Sequence, residues 1–149
     1  LSGANLENAV LRDANLEGTV LENAILRNSD LTKCTLSYTG LQGADLSGAV
    51  MRDAFVNNAN FTHANLSQAV LVNARFHKAI LVETDFAEAD LTAVAIHNAN
   101  LTDADFRGAN LKNAHIKNAI LRGTSFEGVR AQGATIKGLG TSPRSVGKS

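Results

Sequence analysis

A large apolar residue falls at every fifth position from Leu1 to Ile136 without a slip in phase. Of the 28 positions in that phase, 27 carry Leu, Ile, Val, Met or Phe, the exception being Ala131, so the chain is a repeat array before it is anything else. The period fits neither regular element. On a helix turning about 100° per residue, a step of five rotates the side chain by roughly 140° and smears the apolar residues around the cylinder. On a continuous strand the odd spacing sends successive apolar residues to opposite faces. Every fifth residue points inward only if the chain turns a corner once per pentad.

The residues flanking each apolar centre support that geometry. Two before the centre, 19 of 27 positions are Ala, and the others are small or short (Thr19, Ser29, Cys34, Thr39, Thr84, Val94, Thr124, Val129), which marks a second inward site. Two after the centre, 20 of 28 positions are Gly, Asn or Asp, the residues that tolerate left-handed backbone, so this site is the expected corner. One before the centre, Asn and Asp recur, as at Asn5, Asp45, Asn60, Asp85 and Asn100, and the residue after the centre is mostly polar; both sites face outward. Spacings of twenty suggest four sides per coil: Phe86, Phe106 and Phe126 are centres twenty apart, as are the outward pairs His77 with His97 and Lys117 with Lys137. The phenylalanines are expected to form a stacked column.

The units Ala4-Asn5-Leu6, Ala44-Asp45-Leu46, Ala64-Asn65-Leu66, Ala99-Asn100-Leu101 and Ala109-Asn110-Leu111 resemble the pentapeptide-repeat family over residues 1 to about 140. The resemblance implies an all-β fold, a right-handed quadrilateral parallel β-helix in which the central Leu or Phe and the preceding Ala point inward. Wound on four sides, the array makes about seven coils and, at the 4.7–4.9 Å spacing of paired strands, a rod of roughly 30 Å. That family is abundant in cyanobacteria, and its best understood branch inhibits or protects type II DNA topoisomerases by presenting an acidic, DNA-like rod. The domain reading is a pentapeptide-repeat β-helix over residues 1–140 followed by a flexible tail over 141–149, where Gly, Ser and Pro143 replace the repeat.

No run of 18 apolar residues exists, so no membrane span is expected. The chain opens on an in-phase Leu1 rather than on a basic and then apolar leader, as a trimmed or processed chain would, and a cytoplasmic location is favoured over a secreted one. Cys34 occupies the small inward site and reads as a packed thiol. An open first coil would expose an apolar cross-section and an unpaired edge, which suggests self-association through that end.

The formal charge is zero, from 14 basic and 14 acidic residues, but four-sided winding separates the signs. The side centred on Leu16, Leu36, Val56, Phe76, Ile96, Ile116 and Ile136 carries Arg75, His77, Lys78, His97, His115, Lys117 and Lys137 against one acid, Glu17. The opposite side carries Glu7, Asp45, Asp85, Glu88, Asp105 and Glu127 against Arg27 and Arg107. The basic residues are the candidate partner-binding surface, and the expected activity is that of a non-catalytic scaffold or protein-interaction module. A DNA-mimicking inhibitor or protector of a type II topoisomerase is the alternative the resemblance supplies. A protein is the expected partner; nucleic acid is not, and no membrane or cofactor is called for.

Catalysis is not expected, because a convex wall offers no pocket in which to desolvate an acid or base. His77 and His97, with His115 on the same side, form the best arrangement for a weak surface zinc site, although Lys78 and Lys117 would repel the cation. The glycosylation-like triplets at Asn60, Asn65 and Asn100 arise wherever an Asn-centred repeat is followed by a hydroxyl residue.

Overall fold

The computed structural model describes residues 1–139 and 145–146, and it is a β-helix in which all strand pairing among those residues is parallel. Bridges join residues twenty apart along the array, from Asn5↔Ile25 to Asn110↔Arg130. Each bridge therefore closes a circuit of twenty residues, along which a positive-φ residue recurs every five. Every corner position from Gly3 to Gly133 has positive φ, 53–61° for the residues other than glycine and 67–73° for the glycines. The corner is a four-residue turn that starts at the apolar centre: Ala4 N–H donates to the Leu1 carbonyl at 2.9 Å, and Ala9 N–H to that of Leu6 at 3.1 Å. Positive φ at the third residue makes it a type II turn, which explains the Gly, Asn and Asp found there. Eight corners hold other residues, among them Tyr38, Glu83 and Ala93. Gly138 departs from the expected pattern. It has no positive φ and pairs with Ala119 in a strand whose register shifts there, so the run of corners ends at Gly133.

Hydrogen bonding accounts for all five N–H groups of a pentad in which Asn or Asp precedes the centre. The centre and corner donors reach the next coil, as in Leu6 N–H to the Ile25 carbonyl (2.7 Å) and Asn8 N–H to that of Arg27 (2.9 Å). The residue before the centre donates backwards, as Ile25 does to Ala4 (2.9 Å), and the small inward residue closes the turn. That leaves the N–H just after the centre. An Asn or Asp side chain two residues earlier accepts it: Asn60 Oδ1 takes Thr62 N–H (3.0 Å), Asp85 takes Ala87 (2.8 Å) and Asn100 takes Thr102 (3.1 Å). These Asx caps give the outward Asn and Asp residues a structural task beyond facing solvent. They also explain the glycosylation-like triplets, since Thr62 and Thr102 add a hydroxyl bond to the same oxygen.

Centres and small residues form one core, fully buried from Leu21 to Phe126. Leu6, Leu11 and Leu16 of the first coil are partly covered and Leu1 is exposed. At the small inward site Ser29 Oγ donates to Leu26 in its own turn (2.8 Å), while threonine hydroxyls donate to carbonyls of the preceding coil, Thr84 Oγ1 to Phe61 (2.9 Å) and Thr124 Oγ1 to Leu101 (2.8 Å). Cys34 makes the equivalent bond to Leu11, and burial pushes its thiol up, in keeping with a packed role. The expected aromatic column is present: Phe86, Phe106 and Phe126 stack with centroids 4.7 and 5.1 Å apart and planes within 13°. The coil spacing sets that separation.

Six short strands interrupt the isolated bridges: β1 (Arg75–His77), β2 (Ala95–His97), β3 (His115–Ala119), β4 (Ser125–Phe126), β5 (Thr135–Gly138) and β6 (Ser145–Val146). β1, β2, β3 and β5 stack in that order as a parallel sheet. On this column no turn bond closes the corners after Val56, Phe76 and Ile96 among the described residues. Branched Val56, Ile96, Ile116 and Ile136 centre the column and no Asn or Asp precedes them, so extended backbone is favoured. Of the segment expected to be a flexible tail, residues 141–144 and 147–149 lie outside the described residues. β6 pairs in parallel with β4, Ser145 opposite Ser125 and Val146 opposite Phe126, again twenty residues on.

Two substitutions test this reading of corners and caps. Replacing Ala93 by Gly relieves a left-handed residue that has no compensating side chain, and should raise stability by about 0.5–1 kcal/mol. Replacing Asn100 by Ala strands the Thr102 N–H and should lower it by about 1 kcal/mol. Urea denaturation of the two variants beside the parent chain measures both.

Candidate functional site

The four-stranded sheet carries the candidate surface. In these strands the apolar centres Phe76, Ile96, Ile116 and Ile136 point inward and the residues on either side of each point outward, so two outward ladders run along the rod. One is His77, His97, Lys117 and Lys137, each paired with the next. The other is Arg75, Ala95, His115 and Thr135. Six of the seven residues singled out from the sequence therefore lie on consecutive rungs of one sheet. The seventh, Lys78, stands at the corner after β1 with φ 57°. None of the seven forms an ion pair among the described residues, whereas Arg12, Arg27 and Arg107 elsewhere all do.

Local contacts order the start of this surface. Arg75 lies over the ring of Phe55, its guanidinium carbon 5.4 Å from the centroid. Asn57 Oδ1 accepts the His77 N–H at 3.2 Å. His97 sits between His77 and Lys117 in the ladder, and its Nε2 is shielded from solvent without a hydrogen-bond partner. Burial pushes this imidazole below the ordinary 6.5, and the charges of Lys117, His77 and His115 push the same way. The three histidines do not converge: His115 stands opposite Ala95 on the other ladder. Among the described residues no three His, Cys, Asp or Glu side chains are placed to share a metal ion.

The wall is less even than its repeat suggests. Between Arg75, His77 and His97 lies an open groove of about 310 Å³, and a larger one of about 700 Å³ runs along the neighbouring corners to Phe55 and Arg75. This corrects the expectation of a wall without concavity. Ala93 and Ala95 line the larger groove together with Lys33, Phe55 and Arg75.

The acidic side is partly neutralised. Arg27 spans Glu7 and Asp45, both at 3.3 Å, and Arg107 grips Asp105 with Nε and Nη2. Hydrogen bonding from Arg107 holds the Asp105 carboxyl below the usual carboxylate range. Asp85, Glu88 and Glu127 have no ion-pair partner among the described residues. Asp103, Asp105, Gly123 and Glu127 line a further groove of about 480 Å³. An added Cβ at Gly123 would collide with Asp103 Oδ1, so this corner is Gly for the room it leaves as well as for its φ of 69°.

The depressed imidazole of His97 fixes a pH dependence. Because its folded value lies below the unfolded one, the unfolded chain takes up the proton first. The neutral form's contribution is therefore fully present above pH 6.5 and is lost as pH falls from there through the folded value. Nuclear magnetic resonance of the ring protons should show His97 titrating below 6.5, and Lys117→Ala should move that midpoint upward. His97→Gln should flatten the fall in melting temperature across the same window.

The chain matches two models of known families: a pentapeptide repeat region over residues 59–136, and pentapeptide repeats in eight copies over 1–37 and 30–68. Among solved structures it is similar to trypsin-treated QnrB1, a plasmid-mediated fluoroquinolone resistance protein, with a TM-score of 0.76 at 21% identity, covering 92% of this chain and 67% of that one. It is also similar to Rfr23 from the cyanobacterium Cyanothece 51142, with a TM-score of 0.50 at 27% identity over 91% of this chain and 85% of that one. No curated protein sequence matches it. At 21% identity the first likeness concerns the fold alone. The left-handed corners from Gly3 to Gly133, the parallel bridges twenty residues apart and the two family matches, which together run from residue 1 to residue 136, agree: this chain belongs to the pentapeptide-repeat family.

Proposed function

We propose that this chain is a non-catalytic scaffold or protein-interaction module, wound as a right-handed, four-sided coil of about seven turns, that docks a partner on its basic wall. One observation carries the reading. In a chain of zero net charge, Arg75, Lys78, Lys117 and Lys137, with His77, His97 and His115 among them, crowd one sheet and its edge without an internal counter-ion. A positive wall of this kind steers an anionic partner over a Debye length of about 8 Å at physiological salt. No helix among the described residues is long and apolar enough to cross a membrane. The grooves are open, and beside the shielded imidazole of His97 the groove of about 310 Å³ is lined by Asn57, Arg75 and His77, with no carboxylate, thiol or hydroxyl to favour an enzymatic reading.

The alternative, a DNA-mimicking inhibitor or protector of a type II topoisomerase, draws on the acidic side. Arg27 and Arg107 interrupt that side and neutralise Asp45 and Asp105, so its charge does not run evenly along the rod as a phosphate backbone does.

A pull-down with the intact chain and with Arg75, Lys78, Lys117 and Lys137 all changed to Glu tests the docking reading. The partner should be retained by the parent chain, lost from the variant, and released from the parent by salt. The same proteins held equally by both would overturn it. Supercoiling by a type II topoisomerase should proceed unchanged in the presence of the chain; inhibition would favour the alternative.

A further inference from the structure

Over three consecutive rungs the outward charges of the two opposite walls follow matching sequences. Take as one rung the outward residues around a single centre: the one before it, the one after it and the corner. On the basic wall the rung of Arg75 and Lys78 carries two positive charges at neutral pH. The next, Ala95, His97 and Asn98, carries none, and the next, His115, Lys117 and Asn118, carries one. On the acidic wall the rung of Asp85 and Glu88 carries two negative charges. The next, where Asp105 and Arg107 cancel, carries none, and the next, with Glu127, carries one. Two, none, one on one wall meets two, none, one of opposite sign on the other.

The spacing of the rungs limits what can answer this pattern. Charges along the ladders recur at the interstrand distance of about 4.8 Å. An extended peptide presents side chains on one face about every 6.6 Å, and duplex DNA carries a uniform charge about every 1.7 Å that would leave phosphates opposite the neutral rung. A second stack of parallel strands has the same pitch by construction. The acidic wall of the same chain has the pitch, the complementary sign and the same order of rungs.

We propose that the partner of the basic wall is a second copy of this chain: rods lie parallel and side by side, the basic wall of one against the acidic wall of the next, displaced along the axis by half a coil. This rests on the reading of the basic wall as a docking surface and names its occupant. Opposite walls of one coil run in opposite directions, so across the contact Lys78 faces Asp85 and Arg75 faces Glu88 of the neighbouring copy. The contact uses different walls on the two copies. It is therefore heterologous and does not close on itself, and the products are open rows rather than dimers. Each contact rests on exposed charges, so the rows are reversible and salt-sensitive.

Sedimentation velocity of the full chain tests the proposal at about 0.01 M and about 1 M ionic strength, where the Debye length is about 30 Å and about 3 Å. The weight-average mass should rise at least twofold at low salt, in a concentration-dependent way, and return to monomer at high salt. The double variants Arg75→Glu with Lys78→Glu and Asp85→Lys with Glu88→Lys should each remain monomeric alone. An equimolar mixture of the two should assemble again, which a misfolded variant could not do. A parent chain that stays monomeric at low salt, assembly that survives in either variant, or a mixture that stays monomeric overturns the proposal. Retention of duplex DNA by the parent at low salt, lost in the first variant, would also overturn it by giving the wall to a polyphosphate. If the parent stays monomeric while the pull-down remains wall-dependent, the self-association falls and the docking module stands; if neither holds, both fall.

Discussion

Backbone N–H groups set the terms of this structure, because a coil only twenty residues around has no regular strand or helix in which to satisfy most of them. Each pentad has five donors, and where an Asn or Asp precedes the centre all five find acceptors. Two donors point to the next coil and one to the previous coil, one closes the turn, and the last is taken by an Asn or Asp side chain where one is present. The left-handed corner makes this possible, since it redirects the chain without breaking the ladder on either side. Apolar burial then follows from geometry. Once the corners are fixed, the centre and the small residue have nowhere to point but inward, and Leu, Phe and Ala fill the space at close packing.

This dependence explains what was legible in the sequence. The period of five, the small inward site and the corner are each imposed by a local steric rule, and Leu6, Ala44 or Gly48 reveals it without knowledge of any neighbour. The Phe86, Phe106 and Phe126 column was legible from spacing because the coil length repeats without variation. Less visible were the features that depend on two coils at once. Tyr38, Glu83 and Ala93 do not favour positive φ, yet they adopt it because the bonds of the coils around them determine the corner. The capping role of the outward Asn and Asp could have been inferred by asking which N–H of the pentad lacked a partner. The sheet of β1, β2, β3 and β5 had a signal in the run of branched centres at Ile96, Ile116 and Ile136.

The candidate surface was legible to a similar degree. Winding the sequence by twenty placed Arg75, His77, His97, His115, Lys117 and Lys137 on one wall, and the structure sets them on adjacent rungs. Their exact neighbours were not. That His115 stands across from Ala95 rather than His97, that Arg75 covers Phe55, and that a groove is lined by Ala93 and Ala95 are matters of side-chain length and ladder register, which composition by wall does not encode.

The invariant twenty-residue circuit has a consequence for how such a chain can lengthen or shorten. Inserting a single pentad anywhere would leave the interior intact, since every centre and small residue would still find an inward site. All later residues, however, would be shifted by five against the twenty-residue pairing, and Lys117 and Lys137 would leave the ladders that begin at Arg75 and His77. Only gain or loss of complete circuits preserves both the interior and the arrangement of ions outside. Length changes in this architecture are thus tolerated by the core in units of five, and by the surface only in units of twenty.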